Sequence, residues 1–252
     1  PPAAIRAFCE EIGVAKSNST VDSAMLEHCV RDELNHNAPR IMAVLRPLKL
    51  VITNYLEGET EYLLAENSPT HGGRRYVPFG RELYIDREDF MEDAPKKFFR
   101  LKPGGEVRLK HAYIIRCEEV VKDAAGEITE LLCTYDPETR SGGTAANRKV
   151  KGTIQWVAAE HALTAEVRLY DSLLRTAEEG EEEPADFIAA LNPHSLEVLT
   201  DAKVEPSVHL TAAGAHYQFL RVGYFVVDPD TTPDHIVFNR IVGLKDTWSK
   251  IK

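Results

Sequence analysis

The first forty residues place apolar side chains at the 3.6-residue spacing of amphipathic helices. One helix is predicted to end at Gly13, and a second to begin at a cap on Ser19 or Thr20 and end by Asn37 and Pro39. The predicted apolar stripes are Ile5, Phe8, Cys9 and Ile12, then Met25, Leu26, Cys29, Val30 and Leu34. The chain therefore opens with a helical subdomain, assigned to residues 1–41.

From Ile41 onward, short runs of β-branched and aromatic residues alternate with turns rich in glycine and proline. Glu118–Tyr135 predicts a hairpin around Asp123–Gly126, and Phe187–Leu191 predicts a helical turn. Further strands are predicted at Val44–Tyr55, Tyr62–Leu64, Glu82–Ile85, Val107–Cys117, Leu196–Leu199, Tyr217–Phe219, Tyr224–Val227 and Phe238–Val242. Many short, evenly spaced strands favour small β-barrels over a parallel βαβ sheet.

The stretch Arg148–Leu174 joins two predicted strands without a compact hairpin turn. An apolar run at Ile154–Val157 is followed by a break around His161. Val167 and Leu169 then alternate with polar neighbours at the period of a half-buried strand. We therefore predict that the chain leaves one barrel and enters another here.

Length and composition narrow the class of protein. The 252 residues, 43% of them hydrophobic, can build two or three small domains with real cores. No apolar run approaches the roughly 18–20 residues that span a bilayer, and no signal-peptide pattern opens the sequence. Four widely spaced cysteines without a CxxC pair suit free thiols in a reducing compartment, so a cytoplasmic location is expected.

The net charge of −10 conceals a strong asymmetry along the chain. Lys96–Arg116 carries seven cations and one acid, whereas Glu178–Asp186 carries six acids and no cation. The low-complexity segment Thr176–Pro184 predicts a mobile loop. Because a local basic patch can bind phosphates on an otherwise acidic protein, RNA stays a candidate partner.

The basic stretch contains two patterns that suit single-stranded RNA. In a strand, Arg108 and Lys110 would project from one face, about 6.6 Å apart, while Val107 and Leu109 face the core. The segment KKFFRLK at 96–102 interleaves aromatic faces with cations, a combination that stacks and contacts bases. A solvated charged face over a Phe-containing core fits the same residues and is the plain alternative.

No motif of an enzyme active site occurs in the sequence. There is no GxGxxG opening a helix, no GxxxxGK[ST], no HExxH and no paired-His metal spacing, and the nine histidines are scattered. Neither catalytic nor metal-ligating residues are therefore predicted.

Eight long segments of the sequence are specific enough to compare with known families: AIRAFCEEIGV, LNHNAPRIMAV, PLKLVITNY, VPFGRELYIDREDF, GEVRLKHAYIIR, TYDPETR, HYQFLRVGYF and FNRIVGLKDTW. With these segments in this order, nearly the whole chain resembles the C-terminal half of bacterial-type glutaminyl-tRNA synthetases. The resemblance implies a mainly β fold, in which a distal barrel (86–165) is inserted in a proximal one (42–85 and 166–252). It also implies that the family's catalytic domain, which uses ATP with Mg²⁺, has no counterpart in this chain, so no cofactor is expected.

The resemblance further implies that this region binds the unstacked anticodon bases of tRNA as a monomer, without a membrane partner. The expected RNA-binding residues are Arg40, Gln218 and Arg221 for the middle base, Arg100 for the third base, Arg108 with Lys110 for the first base, Asn35 beside Arg40, and Lys97. Lys110 stands where the family has Arg, Phe99 where it has Lys, and Leu220 where it has Glu. An ammonium cannot make the bidentate contact of a guanidinium, so the first-base pocket departs from the pattern.

Three alternatives fit parts of the sequence. The equivalent region of an archaeal- or eukaryotic-type glutamyl-tRNA synthetase shares the expected architecture. A free-standing RNA-binding barrel protein would explain the distal barrel alone. A protein-interaction barrel would leave the basic stretch merely solvated, and a steep salt dependence of RNA binding would argue against it.

We predict that this chain by itself forms no aminoacyl-adenylate, because no ATP-binding motif occurs in its 252 residues. Glutamine-dependent ATP–pyrophosphate exchange measures the activity directly, with a reaction lacking glutamine as control. Exchange above that control would contradict the prediction.

Overall fold

The computed structural model describes residues 1–68, 72–174 and 186–248. Two helices open the chain, α1 (Pro2–Ile12) and α2 (Ser23–Asn37). As predicted, α1 ends at Gly13, which has a φ of 71° and donates its N–H to the carbonyl of Cys9. The predicted cap of α2 is wrong: Asp22 precedes the helix and accepts a hydrogen bond from the Ala24 N–H at 2.8 Å.

The rest of the described chain is mainly β, as the sequence predicted. The strands are β1 (Arg40–Ile41), β2 (Ala43–Val44), β3 (Pro47–Ile52), β4 (Glu61–Glu66), β5 (Arg74–Phe79), β6 (Glu82–Asp86), β7 (Glu106–Leu109), β8 (Ile114–Lys122), β9 (Ile128–Asp136), β10 (Thr153–Ile154), β11 (Val157–Ala158), β12 (Leu163–Tyr170), β13 (Leu196–Val204), β14 (His216–Phe219), β15 (Gly223–Val227) and β16 (Ile236–Gly243). The predicted hairpin of residues 118–135 is β8–β9.

Two seven-stranded, barrel-like sheets account for all of these strands except the β4–β5 ribbon. The C-terminal sheet has the order β1-β14-β15-β16-β12-β13-β2, and the inserted sheet has the order β10-β7-β8-β9-β3-β6-β11. In each sheet the two end strands are consecutive in the chain. Only Met42 separates β1 from β2, and only Gln155 and Trp156 separate β10 from β11, so the backbone itself holds the two edges of each sheet close together.

The segment from Ile41 to Leu45 contributes to both cores. The side chains of Ile41, Ala43 and Leu45 pack into the core of the C-terminal sheet, whereas Met42 and Val44 pack into that of the inserted sheet. Successive side chains of an extended chain point in opposite directions, so one strand can serve two cores. The two barrels therefore meet across this segment.

The strand pairing does not follow the predicted division of the chain at residues 42–85. Strands β3 and β6 pair with each other, and they join β9 and β11 in the inserted sheet. The period-two pattern shows which face of a strand is apolar but not which neighbour it pairs with. We propose that the inserted barrel spans 47–158, and that 40–44 with 163–243 form the other barrel.

Several local predictions can be compared with the described residues. The Arg148–Leu174 stretch carries the chain from β11 in the inserted sheet to β12 in the C-terminal sheet, as predicted. The single strand predicted at Val44–Tyr55 is interrupted, because the N–H groups of Leu45 and Arg46 donate to the Asp86 carboxylate instead of to a strand. The predicted loop Thr176–Pro184 lies outside the described residues.

The predicted strand Val107–Cys117 is also broken, by a tight turn at His111, which has a φ of 62°. Cys9 is exposed, whereas Cys29, Cys117 and Cys133 are buried, and all four are free thiols. No helix in the described part of the chain is long and apolar enough to cross a membrane.

Gly152 allows the basic segment to lie against the inserted sheet. A Cβ at this position would lie 2.1 Å from the carbonyl oxygen of Phe99.

We therefore expect Gly152→Ala to destabilise the fold by about 1–3 kcal/mol through overpacking, measured by urea unfolding. Gly243→Ala is the matched control, since its Cβ would meet nothing within 4 Å, and equal stability of the two variants would contradict the expected contact.

Candidate RNA interface

Asn35, Arg40 and Gln218 lie together at the edge of the C-terminal sheet. Strand β1 runs parallel to β14, with Arg40 opposite Gln218. Asn35, near the end of α2, accepts hydrogen bonds through Oδ1 from Arg40 Nη2 at 3.0 Å and from the Tyr224 hydroxyl at 3.3 Å. Burial raises the pKa of Tyr224, so its hydroxyl remains a donor at neutral pH.

This cluster has unused hydrogen-bonding capacity. Within the described residues, Nε of Arg40 and Oε1 of Gln218 are buried and have no hydrogen-bond partner. An unpaired buried donor or acceptor costs about 1–3 kcal/mol, so a ligand that supplied the complementary groups would gain that energy. The two atoms offer one donor and one acceptor, which matches a nucleobase edge that carries an acceptor beside a donor.

Arg221 and Arg100 share one buried carboxylate, that of Asp89, which is 3% exposed. Both Nη atoms of Arg221 donate to Asp89, at 2.7 and 2.8 Å, in a bidentate pair. Nε of Arg100 lies 3.3 Å from Oδ1 of the same carboxylate, and its Nη1 donates to the Glu88 carbonyl at 2.8 Å. The structure thus links Arg221 to the residue expected at the third base.

The turn between β14 and β15 aims Arg221 at Asp89. Arg221 has a φ of 65°, in the left-handed region that is unfavourable for residues other than glycine. The bidentate pair with Asp89 compensates for this strain. The side chains of Arg221 and Arg100 are still 35% and 41% exposed, so both guanidinium groups remain accessible from the solvent.

Both arginines line a cleft between the two sheets with a volume of about 270 Å³. Four arginines line it, Arg46, Arg100, Arg221 and Arg240, together with the acids Asp86, Glu88 and Asp89. The acids hold several of these cations in place before any ligand arrives. The cleft can therefore present guanidinium donors that are oriented in advance but still partly exposed.

Arg108 and Lys110 form a separate part of the surface. Val107 and Leu109 are buried, which confirms the predicted alternation of β7. The Arg108 guanidinium is already engaged, however: it donates to the carbonyls of Thr139 and Ala146 at 2.9 Å and of Arg148 at 3.4 Å. These bonds hold the 139–148 segment, and Arg108 would have to release some of them to contact a base.

Burial, and then the neighbouring charge of Arg148, lowers the pKa of Arg108. Lys110 and Lys97 are exposed. In the segment 96–102 each aromatic ring has one cation near its face, with Arg100 over the Phe98 ring at 6.0 Å and Lys151 over the Phe99 ring at 5.5 Å. Phe99 remains exposed.

Two polar residues of this surface were not predicted. Asp89 was missed because an acid beside a basic stretch carries no local sign that it orders arginines distant in sequence. Tyr224 was assigned only to a strand, since its contact with Asn35 depends on the packing of α2 on the sheet. Within residues 1–68, 72–174 and 186–248, no group of three or more His, Cys, Asp or Glu is placed to hold a metal ion.

Comparison with known proteins gives two matching family profiles. Both carry the description "tRNA synthetases class I (E and Q), anti-codon binding domain", one over residues 38–136 and the other over residues 153–228. The chain is also 55% identical to the glutamine–tRNA ligase of Rhodopirellula baltica over 254 aligned residues, which include 100% of this chain and 42% of that protein.

Two further relatives show the same extent of similarity. The glutamine–tRNA ligase of Nitrobacter hamburgensis is 54% identical over 100% of the chain, and that of Clostridium perfringens is 55% identical over 98% of it. The chain covers 45% of each of these proteins. It therefore spans less than half the length of the curated relatives that it matches.

We expect Asp89→Ala to destabilise the protein by about 1–3 kcal/mol, because it leaves two guanidinium groups without their shared buried partner. Their partial exposure keeps the loss below that of a fully buried pair. Asp201→Ala is the matched control: this carboxylate pairs with Lys203 but is 69% exposed, so its removal should cost about 0–1 kcal/mol. Urea unfolding compares the two, and equal losses would argue against an ordering role for Asp89.

Proposed function

The chain belongs to the anticodon-binding domains of the class I tRNA synthetases for glutamate and glutamine, and we propose that it holds the anticodon loop of a glutamine tRNA. The observation that carries this proposal concerns Arg40 and Gln218, which lie opposite each other on β1 and β14. Arg40 Nε and Gln218 Oε1 are both buried and have no hydrogen-bond partner among the described residues. A base that enters this position would satisfy both atoms.

The proposed RNA-binding residues form three groups on the surface. Asn35, Arg40 and Gln218 would take the middle base, Arg100 with Arg221 and the nearby Lys97 the third base, and Arg108 with Lys110 the first base. The separation of the groups suits single-stranded RNA, whose unstacked bases enter different pockets. Arg108 is not freely available to a base, because three backbone carbonyls already accept hydrogen bonds from its guanidinium.

For the longer protein we propose the activity of its relatives, the ligation of glutamine to its tRNA. The curated relatives with this similarity are glutamine–tRNA ligases, which favours glutamine over glutamate as the amino acid. ATP with Mg²⁺ would bind to a domain outside these 252 residues. We further propose a cytoplasmic monomer.

The sharpest test concerns Arg100. A guanine at the third anticodon position offers the acceptors O6 and N7, which a guanidinium can engage together. We expect Arg100→Ala to weaken binding of a glutamine anticodon stem-loop by about 1–3 kcal/mol, the usual scale for one bidentate base contact. Fluorescence anisotropy titration measures the affinity. The loss should shrink when that guanine has already been replaced.

Lys102→Ala is the matched control for charge. If Lys102 contacts only phosphate or solvent, its loss should weaken all RNAs alike and reduce the salt dependence by at most about one unit of slope. A double-mutant cycle between Arg100 and the third base separates the two cases. Zero coupling energy would assign Arg100 a phosphate contact or none.

A further inference from the structure

The chain contains two glutamines, Gln155 and Gln218. In the described structure the amide oxygen of each is buried and has no hydrogen-bond partner. Gln218 belongs to the first of the three groups above. Gln155 has no assigned role, although it is only 2% exposed and lines the cleft that contains Arg100 and Arg221.

The orientation of the Gln155 amide is set by its neighbours. Its Nε2 donates to Oδ2 of Asp86 at 2.8 Å. The other oxygen of Asp86 accepts the backbone N–H groups of Leu45 at 2.8 Å and Arg46 at 3.2 Å. Rotating the amide would place its oxygen against this carboxylate, so the nitrogen faces Asp86 and the oxygen has no partner among the described residues.

Gln155 is also held by the backbone around it. It lies in the two-residue link between β10 and β11, where the edges of the inserted sheet come together. The next residue, Trp156, is fully buried and donates its indole N–H to the Lys110 carbonyl at 2.9 Å. The acceptor is therefore part of a rigid element, as a residue that discriminates between ligands should be.

The cleft thus combines guanidinium donors with one acceptor. Guanine presents the acceptors O6 and N7 on one edge and the donors N1–H and N2–H₂ on the adjoining Watson–Crick edge. Adenine has an amino donor in place of O6 and an acceptor at N1, so it reverses this pattern. A site with a donor fork beside a fixed acceptor therefore favours guanine.

We propose that Gln155 is a further base-recognising residue, whose Oε1 accepts a hydrogen bond from the Watson–Crick edge of a guanine that Arg100 contacts at O6 and N7. This inference rests on the proposed function. In the free protein the oxygen is shielded from water, so the base reaches it only when a neighbouring side chain of the cleft moves. Arg100 and Arg221 are exposed enough to move. The donor from the base would then end an unfavourable burial.

The test compares the 252-residue protein with its Gln155→Met variant, which keeps the approximate volume but removes the amide. Both are titrated with a glutamine anticodon stem-loop that carries either guanine or adenine at the third position. We expect the wild-type preference for guanine to fall about tenfold in Gln155→Met, on the scale of one lost base contact. Asp201→Ala is the control, since Asp201 is exposed and does not line the cleft, and it should leave the third-position preference unchanged.

A second measurement uses the wild-type protein alone, so it does not depend on the folding of a variant. The third-position guanine is replaced by inosine, which lacks the N2 amino group, or by 1-methylguanosine, which lacks N1–H. Both analogues keep O6 and N7. We expect at least one of them to bind about tenfold more weakly than guanosine, again the scale of one lost base contact.

Equal binding of guanosine, inosine and 1-methylguanosine would overturn the inference. So would an unchanged guanine preference in a Gln155→Met variant with a normal urea-unfolding midpoint, because Gln155 would then serve only to hold Asp86. Both outcomes leave the proposed function intact. Absence of any wild-type binding, or of any base preference, would instead overturn the proposed function together with this inference.

Discussion

The structure depends on one short stretch of backbone that serves two hydrophobic cores. Between Ile41 and Leu45 the side chains alternate between the core of the C-terminal sheet and that of the inserted sheet. Neither barrel can shift along this segment without removing apolar side chains from the core of the other. Such a shift would expose several buried side chains at once and lose the free energy of their burial. The relative placement of the barrels is therefore tied to the register of this one segment, which contains β1 and β2.

Buried carboxylates reinforce this junction. Glu205, which follows β13, accepts the backbone N–H of Met42 at 2.9 Å and pairs with Arg75, whose Nη2 lies 2.8 Å from Oε2. The Asp86 carboxylate accepts hydrogen bonds from the backbone N–H groups of Leu45 and Arg46. Burial raises the pKa of Asp86, although these bonds and the one from Gln155 favour its charged form. Desolvated charges of this kind are tolerated only when their lone pairs are satisfied, and they specify geometry more than they add stability.

The same arrangement explains how the proposed anticodon surface can be ready before RNA arrives. Asp89 holds Arg221 from the C-terminal sheet and Arg100 from the segment before β7, so both guanidinium groups are partly ordered. Ordering them in advance lowers the entropy that binding must otherwise remove. At β1 and β14, Asn35 and Tyr224 position Arg40 in a comparable way. Buried atoms of Arg40, Gln218 and Gln155 on this surface have no hydrogen-bond partner among the described residues.

The sequence by itself determined the local elements and the family. Helical spacing and Gly13 located α1, alternation placed Val107 and Leu109 in the core, and long motifs such as LNHNAPRIMAV carried the resemblance. Tertiary structure alone decided that β3 and β6 join the inserted sheet, that Arg108 binds backbone carbonyls and that Asp89 gathers two arginines. The physical reason is that periodicity shows which face of a strand is apolar, whereas pairing and ion contacts depend on residues far apart in the chain. An unpaired buried atom such as Gln155 Oε1 is defined only by the complete set of its neighbours, which no local pattern contains.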